Sequence, residues 1–441
     1  MKRYTKPAIM VILSLALFFI LRISFPKNTG LLNFLLIYLI LNLYLWSWVR
    51  EQLRKSKAFF RIFFSILFWL PVVFLVCLVI FGFIQSYSLW NIFLKTEVVS
   101  LFLIAFLSTF FPIAGMLITD LIRFLTWVNS IIKGKSVNAF LNLKRSKWIM
   151  QISYCLGIVL FFTLLAGMIF WKNDFRVREQ HVELPSLPAQ FIGFRIVQIS
   201  DIHLGSWLSK EKLSDAMGLI NSLNPDLIIF TGDMFNYCTA DGNGFLKILQ
   251  QLRATMGIYA ILGNHDYGDY MRWPNKQAKA ENMKDLEVWY RTLGWHLLRN
   301  ENVILRKSGD SIALIGVENW GSTRRFQRLG DIRKAMKGTE KMNIQILLSH
   351  DPTHWDQIIS SKYPEIDLTF SGHTHGGQFG IDLPGFHWSP IQLTYKHWCG
   401  LYKNSHSNQP QYLYVNQGLG TIGYSGRVGI LPEISLVILE Q

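Results

Sequence analysis

The first 171 residues alternate long apolar runs with short polar loops, whereas the rest of the chain alternates short apolar runs with polar clusters. A helix that crosses a bilayer needs about 20 consecutive apolar residues, and five runs come close to or exceed that length. They cover residues 8–25, 31–49, 62–84, 98–118 and 148–171. We therefore predict an N-terminal all-α transmembrane region of five helices over residues 1–171.

Basic residues in the short loops predict how this region is oriented. Lys and Arg are enriched in loops that stay on the cytoplasmic side. They concentrate before the first run and after the second and fourth runs, whereas the loops after the first and third runs hold few. This alternation predicts an integral membrane protein with a cytoplasmic N-terminus and an extracytoplasmic C-terminal domain. Residues 120–132 form either an interfacial helix or an extension of the fourth helix.

The pattern of hydrophobic positions changes after residue 171. Residues 172–193 are polar and predict a connector, whereas residues 194–441 contain short β-like runs and stretches of helical periodicity, such as residues 210–223. This alternation predicts an α/β domain. Each polar cluster follows the end of an apolar run, and loops at the carboxyl ends of strands meet at one edge of a sheet. We therefore expect the polar clusters to converge.

The polar clusters of this domain offer oxygen and nitrogen ligands in a fixed order. There are five such clusters, and their side chains are Asp201, His203, Asp233, Asn264, His265, Asp266, His350, His373 and His375. Carboxylates, imidazoles and an amide without a thiolate suit Mn, Fe or Zn. A single polar cluster of this kind usually marks an ordinary turn. Five in order, each behind a strand, indicate a functional metal site. If two metal ions lie there about 3.5–4 Å apart, as two-metal hydrolysis requires, one carboxylate must bridge them.

Charge and cysteine content exclude two other classes of site. The chain has a net charge of +15 and is 50% hydrophobic, but the basic excess lies mainly in the membrane region, so we predict no nucleic-acid partner. The four cysteines form no CxxC pair, which argues against a thiolate zinc site. Cys238 and Cys399 are predicted to be free thiols, with a disulfide as the alternative in an oxidising compartment.

The ordered motifs resemble the calcineurin-like metallophosphoesterase family. They are Asp201-Ile-His203, Gly-Asp233, Gly-Asn264-His265-Asp266, His350 and Gly-His373-Thr-His375. The flanking segments RIVQISDIHLG and GLGTIGYSGRVGILPEISL are similar to the membrane-anchored bacterial branch of that family. The resemblance covers residues 194–441 and implies a four-layer α/β/β/α sandwich for them. It also implies a bacterial inner-membrane protein whose five-helix region lies outside that fold.

The resemblance implies a role for each matched residue. One metal ion would be bound by Asp201, His203 and His375, and the other by Asn264, His350 and His373. Asp233 would bridge both ions. His265 would stabilise the phosphoryl oxygens or protonate the leaving group, and Asp266 would orient it. Asn236 stands where the family often has Asp, which puts in doubt only a supporting role of that side chain.

The segment from Gly418 to Gly423 matches the pattern G-x-G-x-x-G, which binds dinucleotides when it opens a helix. Here Pro432 and a further strand follow instead. This context argues against a dinucleotide and predicts a turn that faces the substrate. Arg427 is then a candidate contact to a substrate phosphate, with an ordinary surface arginine as the alternative.

These observations favour a membrane-bound, metal-dependent phosphoesterase that hydrolyses a phosphate ester or pyrophosphate of a lipid-linked substrate. One alternative is a UDP-2,3-diacylglucosamine pyrophosphatase of lipid A synthesis, which would require a cytoplasmic catalytic domain. Another is a non-catalytic membrane scaffold or sensor, against which the complete ligand set argues. The aromatic-rich residues 379–398 are either a loop packed on its own domain or a lip that dips into the bilayer.

Overall fold

The computed structural model describes residues 29–85, 87–134, 143–321, 328–383, 385–404 and 410–441. Contacts divide the chain into two compact units. One contains the chain up to Trp90 together with Val98–Leu165, and the other contains Asn91–Glu97 together with Ala166–Gln441. The short segment Asn91–Glu97 therefore belongs to the second unit, although it lies between helices of the first in the sequence.

The first unit consists of apolar helices. They are α1 (Thr29–Leu53), α2 (Ala58–Ile84), α3 (Val99–Ser108), α4 (Phe110–Ile132) and α5 (Lys147–Ala166). Four stretches of the described residues are long and apolar enough to cross a membrane, namely Leu32–Leu53, Ala58–Ile84, Leu94–Ile132 and Lys147–Trp171. They correspond to the second to fifth predicted runs. The first predicted run, residues 8–25, lies outside the described residues, so the count of five stays a prediction.

Helix α4 runs without a break from Phe110 to Ile132, so residues 120–132 extend the fourth predicted helix. Within it, Asp120 accepts hydrogen bonds from Tyr44 of α1 and from Arg145, just before α5, both at 2.7 Å. An ionisable side chain among apolar helices is costly unless it is paired. These contacts pair Asp120 and connect three parts of the helical unit.

The second unit contains two six-stranded sheets. The first has the order β1-β14-β2-β3-β4-β5, formed by Arg176–Glu183, Glu433–Glu440, Arg195–Ile199, Leu227–Phe230, Ile258–Ala260 and His296–Leu297. The second has the order β12-β13-β9-β8-β7-β6, formed by Gly400–Asn404, Gln411–Val415, Leu368–Ser371, Gln345–Leu348, Asp310–Gly316 and Glu301–Lys307. A separate hairpin consists of β10 (Ile381–Leu383) and β11 (Phe386–Trp388).

The predicted connector, residues 172–193, is instead part of the second unit. Its residues Arg176–Glu183 form β1, which pairs in parallel along the whole of β14. Val182, Leu187 and Phe191 are buried in the core between the two sheets. The sequence pattern missed this strand for a physical reason. An edge strand is held by backbone hydrogen bonds and tolerates polar side chains at its exposed positions.

The apolar core shows which faces of the sheets are covered. Alternate residues of a strand face opposite sides, so Ile196 of β2 lies between the sheets and Val197 lies under helices. The helices are α6 (Lys210–Ser222), α7 (Leu246–Leu249), α8 (Lys276–Leu293), α9 (Ile332–Ala335) and α10 (Ser360–Lys362). Leu213 of α6 and Leu286 of α8 pack on the first sheet, and Ile332 of α9 packs on the second.

A substitution at Phe191 tests whether the segment before β2 is part of the folded second unit. Its side chain is fully buried, whereas the next residue, Ile192, is 49% exposed. We expect Phe191→Ala to lower the free energy of unfolding by about 3–5 kcal/mol, seen as a lower thermal midpoint of the detergent-solubilised protein. Ile192→Ala is the matched control and should change it by at most about 0.5 kcal/mol. Equally small shifts in both variants would contradict the buried placement.

Candidate metal centre

The loops that follow five strands bring the predicted ligands together. Strands β2, β3 and β4 are parallel neighbours, and Asp201, Asp233 and Asn264 follow their carboxyl ends. Strands β8 and β9 are parallel neighbours in the second sheet, and His350 and His373 follow theirs. The clusters converge because the carboxyl ends of parallel strands lie at one edge of a sheet.

Asp201, His203 and His375 form one group of buried ligand atoms. The Nε2 atoms of His203 and His375 are 3.1 Å apart, and Oδ1 of Asp201 lies 3.3 Å from Nε2 of His375. The other oxygen of Asp201, Oδ2, accepts the backbone N–H of His373 at 3.0 Å. This hydrogen bond fixes the carboxylate with Oδ1 next to the imidazole.

Asp233, His350 and His373 form a second group. The Nε2 atom of His350 is 3.2 Å from Nδ1 of His373 and 3.3 Å from Oδ2 of Asp233. The same Oδ2 is 3.6 Å from Nε2 of His203, which belongs to the first group. Oδ1 of Asp233 accepts the backbone N–H of His265 at 2.8 Å. The carboxylate is therefore held with one oxygen close to both groups.

These distances fit divalent metal ions. Ligand atoms bound about 2.0–2.2 Å from one ion lie roughly 3–3.5 Å from each other at angles of about 90–110°. Oδ1 of Asp201 and Oδ1 of Asn264 are buried and have no hydrogen-bond partner among the described residues. Buried acceptors without a partner are unfavourable, so these two favour a bound cation.

Cys238 and Cys399 are free thiols, as predicted, and lie outside both ligand groups.

The protonation of the imidazoles also suits metal binding. Burial lowers the pKa of His203 to about 3 and that of His375 well below its usual value, so both rings are neutral and can donate a lone pair. Burial would also lower the pKa of His350, but Asp233 raises it to about 10. Metal ligands release such protons when a cation binds. Nδ1 of His350 donates to the carbonyl oxygen of Thr231 at 2.7 Å, which leaves Nε2 as the ligand atom.

The ligand loops hold their backbone in an unusual conformation. Five of the candidate ligands have φ values between 49° and 72°, namely Asp201, His203, Asp233, His373 and His375. Residues other than glycine seldom adopt this left-handed region, and such strain concentrates at functional sites. Gly263 allows two loops to approach each other closely, since a Cβ there would overlap Oδ1 of Asp233. The fold therefore holds the ligand loops in a backbone conformation that brings the ligand side chains together.

His265 and Asp266 have partners that differ from those that the resemblance implied. Asp266 accepts the backbone N–H groups of Asp233 and Gly263, both at 2.9 Å, and so joins the loops after β3 and β4. The imidazole of His265 is oriented instead by the carbonyl oxygen of Asn236, 2.8 Å from its Nδ1. Because every residue type provides a carbonyl, Asn in place of Asp at position 236 leaves this contact intact.

Two tyrosines that the motifs did not indicate also contact the centre. The ring of Tyr270 stacks on His265 with ring centres 4.0 Å apart, and its hydroxyl oxygen accepts the amide N–H of Asn264 at 2.9 Å. This leaves Oδ1 of Asn264 as the atom for a cation. The hydroxyl of Tyr395 lies 2.8 Å from Nε2 of His373. Both tyrosines lie outside the motif pattern, and only their position in space marks them.

Arg427 is fully buried, unlike a surface arginine or a side chain that faces a substrate. Its Nη2 donates to the carbonyl oxygens of Gln417, Gly418 and Gly420 at 2.7–3.0 Å. The backbone N–H of Gly420 donates in turn to the carbonyl oxygen of Asp201 at 2.8 Å. Arg427 therefore supports the loop of Asp201 from behind, and its placement gives no support to a phosphate contact.

Buried carboxylates, imidazoles and an amide at the carboxyl ends of two sheets are the ligand set of a metal-binding protein. Comparison with known families identifies the class more closely. Residues 194–377 match the family described as Calcineurin-like phosphoesterase. Residues 21–172 match one described as Probable Calcineurin-like phosphoesterase, transmembrane domain. The chain belongs to the calcineurin-like phosphoesterase family, as its motifs predicted.

Relatives occur in animals and in bacteria. A Danio rerio protein named Transmembrane protein with metallophosphoesterase domain is 29% identical over 284 residues, 62% of this chain and 60% of that protein. The Bacillus subtilis Uncharacterized metallophosphoesterase YkuE is 31% identical over 266 residues, 60% of this chain and 85% of that protein. The Chlamydia trachomatis UDP-2,3-diacylglucosamine pyrophosphatase LpxG is 29% identical over 310 residues, 58% of this chain and 90% of that protein. The match thus spans less than two thirds of the animal protein.

Substitutions at Asp233 and His265 distinguish residues that bind metal from residues of the centre that do not. We expect Asp233→Asn to lose most of its bound metal, because one charged oxygen serves both groups of ligands. His265→Ala should keep its metal, since His265 belongs to neither ligand group. Elemental analysis of the purified full-length variants, compared with the unaltered protein, measures both. Full metal retention in Asp233→Asn would contradict a bridging carboxylate.

Proposed function

We propose that this protein is a membrane-bound phosphoesterase that hydrolyses a phosphate ester or pyrophosphate of a lipid-linked substrate with two divalent ions of Mn, Fe or Zn. The ligands are Asp201, His203 and His375 for one ion, Asn264, His350 and His373 for the other, and Asp233 for both. The observation that carries the proposal is the position of Asp233 Oδ2, 3.6 Å from His203 and 3.3 Å from His350. Two adjacent ions that share a ligand suit in-line displacement at phosphorus.

The residues of the chain then have distinct tasks in the reaction. Bound divalent ions supply a nucleophilic water at neutral pH and neutralise charge on the phosphoryl group. His265 acts as the general acid that protonates the leaving oxygen. The carbonyl oxygen of Asn236 accepts the Nδ1–H of His265 and the ring lies against Tyr270, so the proton that is transferred is the second one, on Nε2 of the imidazolium form. Asp266 keeps the loop of Asp233 in place through backbone hydrogen bonds.

The arrangement of core residues supports the four-layer α/β/β/α sandwich that the family resemblance implies. Side chains such as Ile229 of the first sheet and Leu348 of the second share one core. Helices contact the opposite face of each sheet. This layering brings the carboxyl ends of both sheets to one catalytic centre.

We also infer that the catalytic unit lies outside the cytoplasm. The loop between α1 and α2 carries the basic residues Arg54, Lys55 and Lys57, as expected on the cytoplasmic side. The next loop leads into Asn91–Glu97, which belongs to the catalytic unit, and Glu97 lies 2.7 Å from Nζ of Lys172. The catalytic unit therefore shares its side of the membrane with the loop that has few basic residues. This argument does not depend on the first predicted run.

A second candidate function rests on the Chlamydia trachomatis relative, whose name specifies a UDP-2,3-diacylglucosamine pyrophosphatase. A pyrophosphate that joins a nucleotide to a lipid is compatible with the same chemistry. This function would require a catalytic unit on the cytoplasmic side, opposite to the orientation inferred here. A non-catalytic scaffold or sensor would need neither the ligand set nor His265, and their joint presence favours catalysis.

Activity of the full-length protein tests the proposed reaction. The protein is loaded with Mn, Fe or Zn and assayed on a phosphomonoester, a phosphodiester and UDP-2,3-diacylglucosamine. We expect hydrolysis of at least one of them, with kcat lowered by about 10²–10⁴ in His265→Ala because the leaving oxygen lacks its acid. His296→Ala removes an exposed imidazole on β5 and should keep full activity. Metal-loaded protein that hydrolyses none of the three would favour the scaffold.

A reporter fused after Gln441 tests the orientation. A phosphatase reporter that folds only outside the cytoplasm should be active there, and a fluorescent protein that matures only inside should stay dark. The same reporters fused after Ser56, in the basic loop that follows α1, are the control and should give the reverse result. An active fluorescent protein at Gln441 would contradict the orientation and favour the UDP-2,3-diacylglucosamine candidate.

A further inference from the structure

The hairpin of β10 and β11 follows the last candidate ligands along the chain. Its register pairs Ile381 with Trp388, Asp382 with His387, and Leu383 with Phe386. Successive strand residues point to opposite faces, so Asp382 and His387 share one face. The other face, which we call the apolar face of the hairpin, consists of Ile381, Leu383, Phe386 and Trp388.

The apolar face of the hairpin is exposed to a degree that is unusual for the apolar face of a water-soluble sheet. On the polar face, Asp382 forms an ion pair with Arg178 of β1 and lies 2.5 Å from Nδ1 of the half-exposed His387. The four side chains of the apolar face remain 38–58% exposed. A sheet normally packs its apolar face on a core and leaves its polar face in water. A contiguous exposed apolar patch of this kind marks a surface that binds a partner or a membrane.

The base of the hairpin is fixed to the end of the last membrane span. The backbone N–H of Gly380 donates to the carbonyl oxygen of Val428 at 2.9 Å, and the neighbouring N–H of Arg427 donates to the carbonyl oxygen of Gly167 at 3.2 Å. Gly167 lies within the apolar stretch Lys147–Trp171. Two consecutive residues therefore link the hairpin to a helix that can cross the bilayer.

The other end of the hairpin is fixed to the metal centre. Ser389, directly after β11, donates its hydroxyl to the carbonyl oxygen of Gly376 at 2.8 Å, and Gly376 adjoins the ligand His375. The segment continues to Tyr395, whose hydroxyl lies 2.8 Å from Nε2 of His373. Short hydrogen-bonded connections thus join the hairpin to a ligand of each metal group.

We propose that the apolar face enters the acyl-chain boundary of the bilayer, and that the substrate is a membrane lipid whose headgroup phosphate reaches the metal centre. The bilayer is the favoured occupant because the base of the hairpin is connected through Val428 and Arg427 to Gly167, in an apolar stretch long enough to cross a membrane, and because Trp and Phe suit the membrane–water interface. Burial of apolar side chains in the acyl region drives such binding. The identity of the substrate rests on the proposed function, whereas the membrane contact does not.

Photocrosslinking tests the membrane contact directly. The full-length protein with p-benzoylphenylalanine in place of Phe386 is reconstituted in vesicles of phosphatidylethanolamine and phosphatidylglycerol and irradiated. We expect covalent phospholipid adducts, detected by mass spectrometry. Val288, which is 53% exposed on α8, carries the same group in the matched control and should give none. Crosslinks at position 386 to a second protein copy in place of lipid, or no adduct at all, would overturn the proposal.

Two probes with the same leaving group test delivery of the headgroup. Both are methylumbelliferyl phosphodiesters, and the second ester is dioleoylglycerol in one and ethanol in the other. We expect the double variant Phe386→Ser, Trp388→Ser to lower the ratio of kcat/KM for the lipid probe to that for the soluble probe by about tenfold or more, because the two aromatic side chains that enter the bilayer are lost. The control Val288→Ser should leave the ratio unchanged.

The possible outcomes separate the two proposals. An unchanged ratio in the double variant would overturn the role of the hairpin in delivering the lipid, even if crosslinks to phospholipid are found. Hydrolysis of the soluble probe without hydrolysis of the lipid probe by the unaltered protein would overturn the lipid substrate and leave the phosphoesterase intact. Hydrolysis of neither diester would count against both the lipid substrate and phosphodiester hydrolysis, while the crosslinks would still decide the membrane contact.

Discussion

One carboxylate oxygen, Oδ2 of Asp233, lies close to imidazoles from both sheets, and the catalytic unit is arranged around that position. His203 follows β2 of the first sheet and His350 follows β8 of the second, and both lie within 3.6 Å of this oxygen. The carboxyl ends of the two sheets must therefore face the same space. The shared core between the sheets, with residues such as Ile229 and Leu348, holds them in that relation. Ligands from one sheet alone would supply only part of the centre.

Placing several polar groups around one oxygen imposes further requirements on the backbone. The ligand loops turn sharply enough that five ligands adopt positive φ values, which is unfavourable unless neighbouring contacts enforce it. Asp266 provides such contacts by accepting N–H groups from the loops of Asp233 and Gly263. Arg427 provides others by binding the carbonyl groups of the turn beside Asp201. Both buried side chains thus support the centre from inside the fold.

The second unit includes the ends of two apolar spans. The catalytic unit includes Asn91–Glu97 and the chain from Ala166 onwards, so its boundary falls inside two of the apolar spans. Polar contacts join the separate segments of this unit, because Glu97 accepts hydrogen bonds from Lys172 and from Ser425.

The sequence by itself determined the apolar spans, the α/β character of the C-terminal region and the residues that converge at the centre. It could do so because hydrophobic periodicity marks where strands end, and metal-binding chemistry is carried by residue type. Only the tertiary structure decided that the predicted connector forms β1, that Asp266 binds backbone N–H groups, and that Tyr395 contacts His373. It also decided that Arg427 is buried. These features depend on backbone groups and faces that meet only after distant segments pack, so a linear pattern carries no signature of them.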